Sequence, residues 1–127
     1  LIDVTRESLS RGIESCYVGN RIGDISHSIE KYVIDSSYEL VREYVGHGVG
    51  KELHEPPQVP NFGPPGVGIE IVRGLVLAIE PMVNAGTWKT KLLDDGWTVV
   101  TEDGKLSCHF EHTVAVTDNG PEILTKE

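Results

Sequence analysis

Residues 56–68 contain five prolines and three glycines, and this composition constrains the fold more than any other feature of the chain. Proline lacks the backbone N–H group that helices and central strands require, and its ring clashes with a preceding helical turn. Closely spaced prolines and glycines are instead typical of turns and stiff loops. The segment is therefore predicted to be a loop, with regular structure before and after it.

A first helix is predicted over residues 4–17, where Leu9, Ile13 and Cys16 recur at helical spacing. Asp3 or Thr5 is the candidate capping residue, because a side-chain oxygen at that position can accept a hydrogen bond from a free backbone N–H group. A second helix follows and ends near residues 36–37. Its apolar face gives the clearest periodic pattern in the chain and consists of Ile22, Ile25, Ile29 and Val33.

Strands are predicted where short apolar or β-branched runs are bounded by turn residues. These runs cover residues 38–45, 69–72, 75–79, 97–101, 107–117 and 122–124. A turn is predicted over residues 86–90, and Asp103-Gly104 predicts a hairpin. Two helices followed by several antiparallel strands define an α+β fold, with the helices packed on an antiparallel sheet.

The length of 127 residues suits one domain, and the formal net charge of −9 limits its partners. Nucleic acids and anionic membranes require a basic surface, so neither is expected to be a direct partner. No apolar run approaches the length of a membrane span, and no signal peptide opens the sequence.

The cysteine and methionine content gives two further expectations. Cys16 and Cys108 lack the spacing of a disulfide framework and are predicted to be free thiols in a reducing compartment, with a disulfide between them as the less favoured alternative. The only methionine is Met82 and the first residue is Leu1, so we expect the chain to be a piece of a longer protein.

Three residues in unusual settings predict a metal site. His47 lies between Gly46 and Gly48, where the absence of side chains lets other groups approach the backbone closely. Glu80 closes an apolar strand, and Glu111 lies inside the predicted strand over residues 107–117. Two neighbouring carboxylates repel each other unless a cation lies between them. One imidazole and two carboxylates suit Mn, Fe, Co or Zn.

Simpler interpretations of the same residues stay open at this point. His47 fits a turn beside glycines, Glu80 fits a strand end at the surface, and Glu111 fits an ion pair with Arg42 or Arg73. His109 and His112 are alternative ligands that we interpret as structural or exposed. The other residues considered are His27 as a solvated helix residue, Cys108 as a small core residue and Trp97 as a core residue on a strand.

Five short segments together carry a more specific signal. They are Tyr44-Val45-Gly46-His47-Gly48-Val49-Gly50, His54-Glu55-Pro56-Pro57-Gln58-Val59, Ile79-Glu80-Pro81-Met82-Val83-Asn84, Asp95-Gly96-Trp97-Thr98-Val99 and Phe110-Glu111-His112-Thr113. In this order and spacing they resemble type I methionine aminopeptidases over nearly the whole chain. The short interval between His47 and Glu80 is similar to type I rather than type II.

The resemblance implies a pita-bread α+β fold, built from two similar halves with the active site between them. It implies a site for two divalent metal ions (Co, Mn, Fe or Zn) held by two aspartates from the first half and by a histidine and two glutamates from the second. The matching positions here are His47, Glu80 and Glu111, with Glu111 bridging both metals.

The resemblance also implies roles in hydrolysis of the first peptide bond by a metal-activated water molecule. His54 matches a histidine that contacts the substrate and stabilises the developing tetrahedral centre. Glu80 matches the carboxylate that transfers protons. Trp97 matches a residue near the pocket for the methionine side chain. The implied substrates are peptides and nascent proteins with an N-terminal methionine, and the implied location is the cytoplasm.

The chain departs from the family pattern because the segment that carries the two ligand aspartates is not found in it. Residues 1–127 are therefore expected to be the C-terminal half of the catalytic domain, with the N-terminal half absent. We expect at most one weakly bound metal ion and little activity unless a complementary half supplies the missing ligands. The alternatives are an inactive fragment that acts as a binding or scaffold module, and a prolidase-like or aminopeptidase P-like enzyme.

Overall fold

The computed structural model describes residues 1–52 and 54–125, which form two helices and ten strands and confirm the α+β prediction. The helices are α1 (Ile2–Glu14) and α2 (Ile22–Asp35). The strands are β1 (Glu39–Leu40), β2 (Gly46–Gly48), β3 (Glu55–Val59), β4 (Val76–Ile79), β5 (Met82–Asn84), β6 (Thr90–Leu92), β7 (Val99–Thr101), β8 (Ser107–His109), β9 (His112–Thr117) and β10 (Gly120–Ile123).

The two helices pack against each other through the faces that the sequence predicted. The four apolar residues of the α2 pattern are all buried, and so are Leu9, Ile13 and Cys16. Gly12 lies at a close contact between the helices, because a Cβ atom there would be 2.8 Å from Cδ1 of Ile29. The expected side-chain cap of α1 is wrong: the helix follows Leu1, and the Thr5 hydroxyl donates to the carbonyl oxygen of Leu1 instead.

The strands form three antiparallel sheets, and the helices cover the larger ones. The five-stranded sheet has the order β10-β9-β4-β2-β3, the three-stranded sheet has the order β1-β5-β8, and β6 pairs with β7. One cluster of buried side chains joins both helices to these sheets, which removes its apolar surface from water. Its central members include Ile25, Ile29, Ile71, Leu77, Ile79 and Val114.

One long antiparallel strand pair is interrupted at the same level on both of its strands. β4 pairs with β9, and beyond the interruption β5 pairs with β8. Only the dipeptides Glu80-Pro81 and Phe110-Glu111 lie between the two paired stretches. The prediction of a continuous strand over residues 107–117 is therefore wrong at residues 110–111. We call this interruption the paired break.

The proline-rich segment is only partly a loop. Residues 55–59 form β3 and contain Pro56 and Pro57, so the loop prediction is wrong there. The exclusion of a central strand is confirmed, because β3 lies at the end of the five-stranded sheet. An edge strand has one side without a ladder partner, so prolines can face that side without breaking the pairing.

Other strand predictions fail where pairing between distant segments decides the structure. Residues 69–72 contribute only an isolated bridge between Arg21 and Glu70, and strand structure in residues 38–45 is limited to Glu39–Leu40. Asp103-Gly104 forms a turn but no hairpin, because β7 pairs with β6 whereas β8 pairs with β5. The strands over 75–79 and 122–124 are present with small shifts of their ends.

Cys16 and Cys108 are both free thiols, as predicted, and the alternative disulfide is not formed. Burial raises the pKa of the Cys16 thiol to about 11, which keeps it in the unreactive protonated form at neutral pH. Within residues 1–52 and 54–125, neither helix has the length and apolarity needed to cross a membrane.

Candidate metal centre

His47 occupies the middle of β2, a strand that lies between β3 and β4. The glycines on either side of it are required by the neighbouring strands. A Cβ atom at Gly46 would lie 2.3 Å from the carbonyl oxygen of Ala78, and one at Gly48 would lie 2.3 Å from that of Pro56. Both distances are far below van der Waals contact, so the sequence interpretation of close approach at this segment is confirmed. The alternative of a simple turn residue is wrong.

The two glutamates lie on opposite strands of the paired break. Glu80 directly follows β4, and Glu111 directly precedes β9. Neither residue belongs to a strand, and the registers of the two paired stretches place Glu80 opposite Glu111. Pairing across the break thus brings together two carboxylates that are 31 positions apart in the sequence.

Donor atoms of His47, Glu80 and Glu111 all lie within 4.8 Å of one another. His47 Nε2 is 3.5 Å from Glu80 Oε2, and these two side chains are only 13% and 17% exposed. Glu111 is exposed on the open side of the group. Three donor atoms of these types, this close together, could hold one divalent ion between them.

The ring of His47 is oriented by its own strand. Its Nδ1 lies 3.0 Å from the carbonyl oxygen of Gly48, a geometry in which Nδ1–H donates to the carbonyl. That tautomer leaves a lone pair on Nε2, the nitrogen that faces Glu80. Metal-binding histidines commonly have this arrangement, because the second hydrogen bond fixes both the tautomer and the ring plane.

The electrostatics of the cluster favour a bound cation. Burial, followed by repulsion from Glu111, raises the pKa of Glu80 from its ordinary value of 4.5 to about 7, and the nearby His47 opposes this shift only in part. A proton thus relieves the carboxylate pair when no cation is present. A divalent ion would neutralise the same pair without a proton.

Without added metal, the free energy of unfolding will fall as the pH rises from about 4.5 through about 7. The folded chain binds the Glu80 proton more tightly than the unfolded chain, so ionisation of Glu80 favours unfolding. Urea unfolding at a series of pH values measures this effect. Glu80→Gln is the control, because its neutral amide cannot ionise and groups outside the cluster contribute equally to both proteins. Identical pH dependence in the two proteins would contradict the prediction.

His54 lies beside the cluster but outside it. Its exposed ring is 4.0 Å from the ring of His47, measured between centroids, with the planes tilted by 59°. Both histidines line an open cavity of about 460 Å³ together with Val45, Glu55 and Gln58. The imidazole of His54 can therefore donate a hydrogen bond to a group held in front of His47.

Trp97 is 80% exposed, so its interpretation as a core residue is wrong. It lies in the connection between β6 and β7, where its backbone N–H donates to Asp95 Oδ1 at 3.0 Å. It is not among the residues that line the cavity beside His47. The structure thus brings His47, His54, Glu80 and Glu111 together and leaves Trp97 on an open surface.

The two arginines that were alternative partners of Glu111 make other contacts. Arg73 pairs with Asp118 at 3.2 Å, and the guanidinium group of Arg42 stacks on the rings of Phe62 and Trp88. The proposed ion pair of Glu111 with either arginine is therefore wrong. His112 contacts the hydroxyl of Thr125 through Nδ1, and His109 is exposed, which agrees with their structural or exposed interpretation.

Asn61, a buried polar residue behind the cluster, was not predicted from the sequence. Asn61 donates a hydrogen bond from Nδ2 to the carbonyl oxygen of Glu80 at 3.2 Å. Its position between prolines predicted only a loop, and no sequence pattern linked it to a residue 19 positions away.

Comparison with known proteins identifies the family to which this fold belongs. The profile of Metallopeptidase family M24 matches residues 1–118, and the chain belongs to this family. A methionine aminopeptidase of Clostridium acetobutylicum is 59% identical over 125 residues, which cover 98% of this chain and 50% of that protein. The crystal structure of methionine aminopeptidase from Thermotoga maritima aligns with a TM-score of 0.98 and 53% identity, over 100% of this chain and 51% of the other.

A more distant structure shows the fold alone. Prolidase from Pyrococcus furiosus aligns with a TM-score of 0.74 at 22% identity, over 99% of this chain and 32% of the prolidase. The expected pita-bread fold is confirmed by these neighbours, of which the methionine aminopeptidases are much the more similar. The chain spans about half the length of the methionine aminopeptidases that it matches.

Proposed function

We propose that residues 1–127 are the C-terminal half of the catalytic domain of a type I methionine aminopeptidase. The whole enzyme would remove the N-terminal methionine from nascent proteins and peptides. The observation that carries the proposal is the cluster of His47, Glu80 and Glu111 donors within 4.8 Å, in a chain 59% identical to a methionine aminopeptidase. An absent N-terminal half would supply the two aspartate ligands that the family resemblance implies.

The three side chains fit divalent ions such as Co, Mn, Fe or Zn. An imidazole nitrogen with a fixed tautomer and two carboxylates that repel each other form a donor set that these metals favour. When bound, a metal pair would supply Lewis-acid activation of water and of the scissile carbonyl group. Three ligands from this chain alone would hold at most one ion, and weakly.

The side chains of this chain would then orient the substrate and transfer protons. Glu80 is the less exposed carboxylate and can accept a proton and return it at the cluster. His54, on the open side of His47, would donate a hydrogen bond to the oxygen on which negative charge develops. Trp97 would contact the methionine side chain only after the missing half closes the open surface around it.

Two features near Glu111 support a missing half that docks at this side. β8 is the last strand of its sheet in the described structure, so its outer edge can pair with a further strand. A groove of about 770 Å³ between α1 and β8 contains apolar residues, of which Ile2 is 57% and Leu106 is 75% exposed. Such exposure near an open edge is typical of a surface that a partner covers.

The two other candidate functions are less well supported. A scaffold module without turnover does not require three matched metal donors in a half-buried cluster. A prolidase-like or aminopeptidase P-like activity is supported only by fold similarity at low identity. We also propose a cytoplasmic location, which two free thiols support because cytosolic proteins rarely form disulfides.

Methionine release from the peptide Met-Ala-Ser, with added Mn²⁺ or Co²⁺, tests the proposed function. We expect no turnover by the chain alone and turnover after addition of the separately expressed N-terminal half of the Clostridium acetobutylicum relative. Glu111→Ala should abolish the restored activity, whereas Glu122→Ala, which changes an exposed glutamate on β10, should not.

The remaining outcomes separate the alternatives. Turnover by the chain alone that Glu111→Ala abolishes would contradict the half-site argument. No turnover with the added half, although the two halves bind each other, would favour the scaffold module. Preference for a peptide whose second residue is proline, over Met-Ala-Ser, would favour the prolidase-like enzyme.

A further inference from the structure

Asn61 connects the proline-rich segment to the backbone of the candidate metal centre. The residue is fully buried, and its Nδ2 donates to the carbonyl oxygen of Glu80 at 3.2 Å. The segment on both sides of Asn61 is anchored, because Val59 is a buried residue of β3 and Phe62 packs against the core cluster. The donor group therefore stands on a rigid support rather than on a free loop.

The carbonyl group of Glu80 lies where the regular backbone pairing ends. It is located at the paired break, where the regular ladder between β4 and β9 has ended. The next residue is Pro81, which has no N–H group of its own to contribute to the ladder. Asn61 supplies a donor to this carbonyl and so restrains the peptide group that carries Glu80.

The orientation of the Asn61 carboxamide is fixed by this single bond. Its Oδ1 is buried and accepts no hydrogen bond from the described residues. Turning the amide over would place Oδ1 against the carbonyl oxygen of Glu80, so the donor must face Glu80. A buried oxygen without a partner costs stability, and an apolar residue of the same size would avoid that cost.

We propose that Asn61 is a positioning residue that restrains the backbone of Glu80 and thereby aims its carboxylate at a metal ion. The inference rests on the metal assignment proposed above, but it concerns the geometry of one ligand rather than peptide hydrolysis. Groups that orient metal ligands typically change metal affinity by about 10- to 100-fold when they are replaced.

The test compares Asn61→Leu with Asn84→Leu in the full chain, with Co²⁺ as the probe. Asn84 is a matched control, because it is 1% exposed, donates from Nδ2 to the carbonyl oxygen of Thr87 at 3.0 Å and also has an unpaired Oδ1. We expect Asn61→Leu to weaken Co²⁺ binding about tenfold and to change the visible absorption of the bound ion. Asn84→Leu should leave both unchanged, whatever its effect on thermal stability.

Two results would overturn the proposal in different ways. Equal Co²⁺ affinity in wild type and Asn61→Leu, or an equal loss in both variants, would show that Asn61 has no specific role at the ligand. If the wild-type chain binds no Co²⁺ at all, the metal assignment fails and this proposal fails with it.

A second measurement needs no variant and applies even if Asn61→Leu does not fold. In the ¹⁵N-labelled wild-type chain, added Zn²⁺ should shift the side-chain amide signals of Asn61, because its hydrogen bond ends on the peptide group of a metal ligand. The corresponding signals of Asn84 should not move. Unchanged Asn61 signals at saturating Zn²⁺ would contradict the proposal.

Discussion

Replacing Glu111 by glutamine will weaken Mn²⁺ binding to this chain by about 100-fold or more, because the effect of a ligand exceeds that of the groups that orient it. The variant removes one of three donors and the charge that an ion would neutralise. It also removes the like charge that helps to raise the pKa of Glu80. The metal-free variant should therefore be at least as stable as the wild type, although it binds metal poorly.

A loss of Mn²⁺ affinity without a loss of metal-free stability would distinguish a metal ligand from a residue that only supports the fold. Isothermal titration with Mn²⁺ measures the affinity, and thermal unfolding without metal measures the stability. Glu122→Gln makes the same chemical change on β10, outside the cluster, and should alter neither. Wild-type affinity in Glu111→Gln would exclude Glu111 as a ligand, and a large loss of metal-free stability would indicate a structural role instead.

Gly48→Ala will destabilise the chain by about 3 kcal/mol, at the upper end of the range for added atoms in a packed structure. The new Cβ atom would lie 2.3 Å from the carbonyl oxygen of Pro56 and 2.8 Å from that of Glu55. Both oxygens belong to the backbone of β3, so no side-chain rotation can relieve the contact. β2 and β3 must separate, and the separation would also move His47.

Gly50→Ala is the matched control for this prediction. Its Cβ atom would lie even closer to another atom, but that atom belongs to the side chain of Glu55, which can rotate away. We expect a change within about 0.5 kcal/mol, as for ordinary surface substitutions. Chemical denaturation of the three proteins measures the difference. Equal stability of Gly48→Ala and Gly50→Ala would show that strand spacing does not require glycine at position 48.

Local patterns in the sequence predicted the features that depend on neighbouring residues. The spacing of Ile22, Ile25, Ile29 and Val33 gave the buried face of α2, because helical periodicity is set by the backbone itself. The glycines beside His47 predicted that other groups approach the backbone closely there, and the strand contacts at Gly46 and Gly48 confirm it. The proline content excluded a central strand at residues 56–59 but did not reveal the edge strand there.

Features that depend on pairing between strands far apart in the sequence were predicted poorly. Residues 107–117 have the composition of one strand, yet the chain passes between two sheets at Phe110-Glu111. Trp97 is a residue type common in protein cores, yet it belongs to the hairpin of β6 and β7, which forms a sheet of its own, and its side chain is exposed. In both cases the position of the partner strand decides the outcome, and that position is not encoded within a short window.

The sequence by itself determined the helical faces, the exclusion of a central strand from the proline-rich segment, and the types of side chain that a metal site needs. Only the tertiary structure decided that Glu80 and Glu111 stand opposite each other at a paired break, with Asn61 behind Glu80. The physical reason is that propensity acts between neighbours along the chain, whereas strand register is set by packing and hydrogen bonding between segments far apart in sequence.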